Sequence, residues 1–242
     1  MIFLHGLLGS AANWRRISSA FEADFQILAL DQRGHGRSFK PPHGYAPEDF
    51  AGDVKFLMDH LSIERAILVG HSMGGRNAIC FASLFPERID KLVIEDIGPV
   101  AVPEAGARIL EMLRGVSVPF SEKIQAKEYF LGEFGDPKVG GFLYTDIVED
   151  SSGRWNWTFD LKNIEEIVEK GLEQTRWREF ENIKCPTLVI RGEYSDELSR
   201  IEFEKMTARQ PRARGVEIKG TGHWVHIEKP VEFIRELKNF VS

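Results

Sequence analysis

Cysteine is scarce in this chain. Two occur among 242 residues, Cys80 and Cys185, in no Cys-x-x-Cys pair and in no metal-ligand spacing. That argues against a disulfide framework or a redox centre, and both read as buried reduced thiols. Also missing is any stretch approaching the roughly 20 apolar residues that cross a bilayer. The N-terminal Met1-Ile2-Phe3-Leu4-His5-Gly6 lacks the basic region and cleavage site of a signal peptide, so the expected location is cytoplasmic, with no membrane partner. Positive charge is not in excess either. Lysine and arginine number 31 against 37 acidic residues, a net charge of −6. A nucleic-acid partner needs a clustered basic face, and the densest arginine group (Arg209, Arg212, Arg214) is interrupted by Pro211. There is no internal repeat and no low-complexity run.

What remains is ordinary globular composition, 43% hydrophobic and 28% charged, in a chain long enough for one large α/β domain. Short apolar runs end in glycine or polar residues: Ile2–Leu4, Phe25–Leu30, Ala66–Val69, Leu92–Ile94, Thr187–Ile190 and Gly215–Ile218. Continuous apolar runs of this length are expected of strands buried on both faces. Helical stretches such as Pro47–Leu61, Arg76–Leu84 and Pro230–Val241 alternate with them. The pattern predicts an α/β fold with a mostly parallel sheet and helices on both faces. From about Pro99 to Ile183 the alternation breaks. This stretch reads as helical, with a Gly/Pro/Ser-rich zone from Gly132 to Gly153. The expected organisation is a core of residues 1–98 and 184–242 with an inserted helical cap, residues 99–183.

Gly70-His71-Ser72-Met73-Gly74-Gly75 lies between a strand and a helix. G-x-S-x-G in that setting is a nucleophile elbow, in which glycines keep Cβ atoms out of a tight strand-to-helix turn. The following helix start aims free N–H groups at the reacting centre. Other glycine-rich turns fit less well. The G-x-G-x-x-G order of a dinucleotide loop is absent, and no Gly-Lys-Ser/Thr follows as in a P-loop. Ser72 is therefore the candidate nucleophile. A serine hydroxyl needs a base in reach, and the Gly220-Thr221-Gly222-His223-Trp224 loop after the last predicted strand offers His223. His226 is its competitor, expected to begin the packed final helix. His35, His43, His60 and His71 read as structural, and no histidine shows metal spacing. His5-Gly6-Leu7 ends the first strand, so the backbone N–H groups of Leu7 and Met73 are the candidate oxyanion donors. For the acid that orients the base, Asp96 after one strand and Asp196 after another both qualify.

On these residues the chain resembles the α/β-hydrolase superfamily. His5-Gly6, the Asp31-Gln32-Arg33-Gly34-His35-Gly36-Arg37-Ser38 turn, Gly70–Gly75 and Gly222-His223 stand in the family's order across nearly the whole chain. Within the family, three segments are similar to the small YbfF-type carboxylesterases. They are Asp96-Ile97-Gly98-Pro99, Arg154-Trp155-Asn156-Trp157-Thr158-Phe159-Asp160, and Gly222-His223-Trp224-Val225-His226 with Glu228-Lys229-Pro230. The usual family position for the acid holds Ser195 here, with Asp196 one place late. The YbfF resemblance implies the earlier site, Asp96, with Asp196 as the alternative. It also implies a sheet whose usual first two strands are absent, since the chain starts inside the His-Gly strand at Met1. The implied activity is hydrolysis of small or medium acyl esters through an acyl-enzyme, with no metal or organic cofactor. A small-molecule ester or thioester would be the substrate, and oligomeric state is not readable. Arg76, with Ser10 and Trp14, is similar to the MenH-like lyases, and thioesterases share the triad. A low-turnover ligand receptor on the same fold is the alternative from another class. Trp155, Trp157, Phe159, Phe142 and Tyr144 are expected either to line an acyl pocket or to form the cap's own core.

Overall fold

The computed structural model describes residues 1–242. Its strands are β1 (Ile2–Leu4), β2 (Leu28–Leu30), β3 (Ala66–His71), β4 (Ile89–Glu95), β5 (Ile147–Glu149), β6 (Trp155–Trp157), β7 (Thr187–Gly192) and β8 (Ala213–Ile218). The helices are α1 (Arg15–Ser18), α2 (Pro47–His60), α3 (Met73–Leu84), α4 (Pro103–Arg114), α5 (Lys123–Glu128) and α6 (Pro137–Tyr144). They continue with α7 (Leu161–Leu172), α8 (Trp177–Glu181), α9 (Arg200–Arg209), α10 (Val225–Glu228) and α11 (Pro230–Val241). Six strands form one sheet in the order β2-β1-β3-β4-β7-β8, each neighbouring pair parallel.

Side chains alternate across a strand, so a strand covered on both faces must be apolar at every position. The sheet shows this residue by residue. Ile2, Leu4, Leu68, Leu92, Ile94 and Val189 join one buried cluster with Ala78, Ile79 and Ala82 of α3, Val54 of α2 and Met206 of α9. Their strand neighbours Phe3, Ile67, Val69, Val93, Leu188 and Ile190 join a second cluster with Ile17 of α1 and Phe233 and Leu237 of α11. Full burial of one such side chain contributes about 1.5–3 kcal/mol. The two clusters therefore hold the strand ends, and the loops that leave them, in fixed register.

Several boundaries differ from the sequence pattern: β4 starts at Ile89 and β8 at Ala213, ahead of Leu92 and Gly215, and β3 and β7 run on to His71 and Gly192. β2 begins at Leu28, because Phe25 is still in the turn leaving α1, its N–H donating to the Phe21 carbonyl at 3.0 Å. α3 begins at Met73, three residues ahead of the predicted start. Gly74 and Gly75, weak helix formers, are used there for close approach.

Residues between β4 and β7 carry α4 to α8, and they are not purely helical. β5 and β6 pair antiparallel, Ile147 opposite Trp157 and Glu149 opposite Trp155. The turn between them is held by Asp150, whose Oδ1 accepts from Ser152 N at 2.8 Å and Arg154 N at 3.2 Å, with Gly153 at φ 78°. This part of the chain packs into a third apolar cluster, in which Leu113, Phe130, Leu143, Phe159, Ile164 and Ile167 meet Leu8, Tyr45 and Phe50 from the first part of the chain. No helix is long and apolar enough to cross a membrane.

Candidate active site

Ser72 sits between β3 and α3 at φ 51°, ψ −120°, a conformation that costs a non-glycine residue about 1–3 kcal/mol. Its surroundings leave little choice. A Cβ on Gly70 would lie 2.4 Å from the Gly74 carbonyl oxygen, and one on Gly74 would lie 2.3 Å from that of Leu4. The two glycines let α3 start directly against β1 and β3, and the turn lifts Ser72 into a cavity. Met73 is the first residue of α3, so its N–H has no acceptor within the helix.

The loop after β1 is fixed by a buried polar network. Gln32 N donates to His5 Nε2 at 2.9 Å, its side-chain amide donates to the His5 carbonyl at 2.7 Å, and Asn77 of α3 donates to Gln32 Oε1 at 2.9 Å. Burial pulls His5 down to about 4, so it is neutral and can accept at Nε2 while Nδ1–H donates to Gly6 O at 2.8 Å. The network ties the Leu7 loop to the helix behind Ser72. The Leu7 N–H makes no hydrogen bond within the protein, and Leu8 follows at φ 60°. Both predicted oxyanion donors are thus free, and Leu7, Met73 and Ser72 line the same cavity.

His223 enters that cavity from the loop after β8. Its Nδ1 lies 2.8 Å from Asp96 Oδ2. Asp96 follows β4 at φ 53° and is fully buried. Its carboxylate takes two further hydrogen bonds, from Gly192 N to Oδ1 at 2.8 Å and from the Ser195 hydroxyl to Oδ2. Burial alone would lower the His223 pKa, but the Asp96 hydrogen bond and charge outweigh it and hold it above the ordinary value. Asp196 is exposed at the cavity edge and makes no hydrogen bond to His223. The structure therefore brings Ser72, His223, Leu7 and Met73 to one cavity, joins Asp96 to His223, and leaves Asp196 apart.

A second carboxylate–imidazole pair lies beneath the first. Glu95 is fully buried at the end of β4, and its Oε1 accepts from both the backbone N–H and Nδ1 of His226, each at 2.8 Å. Trp14 stacks on His226 with ring centroids 4.3 Å apart. His226 thus lies in the short α10, ahead of the final helix α11. Next to it, His71 Nε2–H donates to the His223 carbonyl at 3.0 Å. Burial, with the charges of His223 and His226, depresses the His71 pKa and keeps the ring neutral. His71, Glu95 and His226 bring polar side-chain atoms within 4.8 Å of one another, a grouping that sequence spacing does not reveal. The hydrogen bonds they make hold the His223 loop against β3 and β4.

The cavity measures about 460 Å³. Its floor is Leu7, Ser72, Met73 and His223, and its roof comes from Ile109 and Met112 of α4, Phe142 of α6, and Ile167, Val168 and Leu172 of α7. Of the five aromatic residues singled out in sequence, Phe142 lines it. Trp155, Trp157, Phe159 and Tyr144 pack in the apolar cluster above the sheet, with Trp157 stacked on Phe159 at 4.9 Å. Three features escape the sequence reading: the Ser195 hydroxyl on Asp96, the Glu95–His226 pair, and the burial of Arg76. Strand alternation holds the signal for one of them, since Glu95 and Asp96 are adjacent and project to different sides.

The fold and this floor define the class. The chain matches the family model described as alpha/beta hydrolase fold over residues 1–230 and belongs to that family. Among its relatives is esterase YbfF of Escherichia coli (strain K12), 29% identical over 244 residues, covering 100% of this chain and 92% of that one. The sn-1-specific diacylglycerol lipase ABHD11 of Mus musculus is 29% identical over 254 residues, covering 100% of this chain and 80% of its own. A solved structure titled marine microorganism esterase superposes with TM-score 0.87 at 28% identity, covering 99% of this chain and 94% of the other. With esterases and lipases among its relatives, the chain is a hydrolase on the α/β fold.

Proposed function

We propose that the chain is a serine carboxylesterase that hydrolyses small or medium acyl esters through an acyl-enzyme. The observation that carries this reading is the buried Asp96 bonded to His223 Nδ1, with His223 and the strained Ser72 on one cavity. In this reading Asp96 holds the imidazole with Nδ1 protonated, leaving Nε2 free to take the Ser72 proton. The Ser72 oxygen attacks the acyl carbonyl, and the negative charge that develops is met by the N–H groups of Leu7 and Met73. His223 returns the proton to the leaving alcohol. Water, deprotonated by the same Nε2, then cleaves the acyl-enzyme and releases the acid. Residues 99–183 act as a cap that shapes the acyl site over a core of residues 1–98 and 184–242. The expected location is cytoplasmic.

The test is steady-state hydrolysis of short p-nitrophenyl esters. Turnover should be abolished by Ser72→Ala, and a fluorophosphonate should label the wild type but not the variant. A single stoichiometric burst with no turnover would instead indicate a ligand receptor. Hydrolysis that survives Ser72→Ala would overturn the assignment of the nucleophile.

A further inference from the structure

Glu95 is the only fully buried charged residue of β4, and it stands directly before Asp96. The two carboxylates divide the loop after β8 between them, Asp96 bonding His223 and Glu95 bonding His226. Glu95 also reaches the nucleophile. It lies opposite His71 in the β3–β4 pairing, and its carbonyl accepts from the Ser72 N–H at 3.0 Å. One residue thus holds the Ser72 elbow by its main chain and the His226 end of the loop by its side chain. A second cross-link runs beside it, from His71 Nε2–H to the His223 carbonyl, with the two rings 4.6 Å apart.

The loop is pinned on both sides of His223. Ahead of it, Gly220 N donates to Glu193 Oε2 at 2.9 Å, and Tyr194 N donates to the Thr221 carbonyl at 3.0 Å. Behind it, α10 starts at Val225, and the bond from His226 N to Glu95 Oε1 fixes that start. The same oxygen accepts from His226 Nδ1–H and Trp14 stacks on the ring, so His226 is held in both main chain and side chain. As a source of stability the pair is poorly built. Glu95 Oε2 and His226 Nε2 are buried and have no partner. Apolar side chains of similar volume often hold a fold as well as a buried pair does, or better. Val93, on the same face of β4, already packs in the apolar cluster with Trp14 and Phe233, so a leucine at position 95 would suit the packing. What leucine cannot supply is direction.

We propose that Glu95 is a positioning residue for the reaction: acting through His226, it fixes where His223 stands relative to Ser72. The proposal rests on the esterase reading above for the chemistry of those two residues, and it adds a side chain on which their geometry depends. Glu95 does not line the cavity, so its loss should fall on turnover and spare substrate binding.

The experiment uses three variants and a short p-nitrophenyl ester. Glu95→Leu removes the acceptor and should lower kcat by about a hundredfold, the scale of a small misplacement of reacting groups, with KM changed by about twofold at most. Glu95→Gln keeps an acceptor oxygen in place and should recover most of the rate. Glu95→Leu/His226→Phe replaces both partners with apolar groups, so its Tm should return toward the wild-type value while kcat stays low. A pair that only stabilises the fold would recover both. Proton NMR reads the position of His223 without turnover. The low-field Nδ1–H resonance of the His223–Asp96 bond should be present in the wild type and Glu95→Gln, and broadened or lost in the two apolar variants. Wild-type kcat per folded protein in Glu95→Leu or in the double variant, or an unchanged resonance in both, overturns the proposal. Should Glu95→Leu fail to fold, the double variant is read in its place. A resonance that depends on Glu95 in a protein without ester turnover would leave the positioning role standing and defeat the esterase reading alone.

Discussion

Asp96 is the residue on which the candidate site turns. It is fully buried, and three donors, His223 Nδ1, Gly192 N and the Ser195 hydroxyl, converge on its carboxylate. An Asn there would keep the shape but could present its amide N–H₂ to Nδ1, selecting the tautomer with Nε2 protonated and useless as a base. Asp96→Asn should therefore lower kcat by about 10⁴, while Asp196→Asn, altering an exposed group with no bond to His223, should change it little. Steady-state kinetics on the two variants decides between them, and the reverse pattern would move the acid to Asp196. The same contact sets the pH dependence. In the proposed mechanism His223 acts as a base only when neutral, and its pKa is held above the ordinary 6.5 by Asp96 against the opposing effect of burial. The wild-type kcat/KM should thus fall as pH drops through a value above 6.5, and loss of the Asp96 charge should move that limb to lower pH. That Ser72, His223, Leu7 and Met73 would meet at one cavity was legible from local punctuation, because each sits beside a glycine at the end of a strand or the start of a helix. The acid was legible only as a choice between two strand ends. Which one meets His223 depends on how β4, β7 and the final loop converge, and no local pattern encodes that. The Ser195 hydroxyl shows the point most clearly. In sequence it marked a vacancy, and in the structure it becomes a donor to the acid one strand away.

At the scale of elements, glycine has opposite consequences in two helices. Gly74 lies in the first turn of α3, where a Cβ would sit 2.3 Å from the Leu4 carbonyl oxygen and 2.6 Å from that of His5, both backbone atoms of β1 and its exit. Neither can move without shifting the strand that carries the Leu7 loop. Gly52 lies within α2, exposed, with nothing within 4 Å of a Cβ built on it. Gly52→Ala should raise stability by about 0.5–1 kcal/mol through helix propensity alone. Gly74→Ala should lower it by more than that and reduce ester turnover together with it. Denaturant unfolding of the two variants checks this, and equal effects would remove the close-packing account of α3. The strands and the long helices α2 and α11 were readable because apolar runs and proline starts are local signals. The early start of α3 was not, because helix propensity disfavours Gly74 and Gly75 and only packing against β1 explains them. The hairpin β5–β6 was missed for a related reason. Three-residue strands around an Asp150–Gly153 turn carry too little alternation to stand out from a helical surrounding.

Across the whole molecule, the floor and the roof of the cavity come from different parts of the chain. The floor of the cavity is built by loops leaving β1, β3 and β8, which two apolar clusters on either side of the sheet hold rigid. The roof is built by α4, α6 and α7, which share a third cluster with Leu8, Tyr45 and Phe50 from the sheet side. Polar links join roof to core at several points, among them Arg176 to Glu48, Glu166 Oε1 to Gly44 N at 3.0 Å, Glu202 Oε1 to Val100 N at 3.0 Å and Lys138 to Glu228 at 3.5 Å, and none of these four reaches Asp96 or His223. A change confined to the roof should therefore alter which acyl chains fit without disturbing the geometry around Asp96 and His223. Ile109 of α4 is half-buried and faces the cavity, and a tryptophan there would fill part of its 460 Å³. Since one methylene in an apolar pocket is worth about 1–3 kcal/mol, Ile109→Trp should cut kcat/KM for an octanoyl ester by about tenfold or more. An acetyl ester, which needs only the floor, should lose about twofold at most. A chain-length series on wild type and variant reads both numbers. A uniform loss at every length would mean that the roof and the reacting groups are mechanically coupled, and the division of labour between cap and core would have to be abandoned.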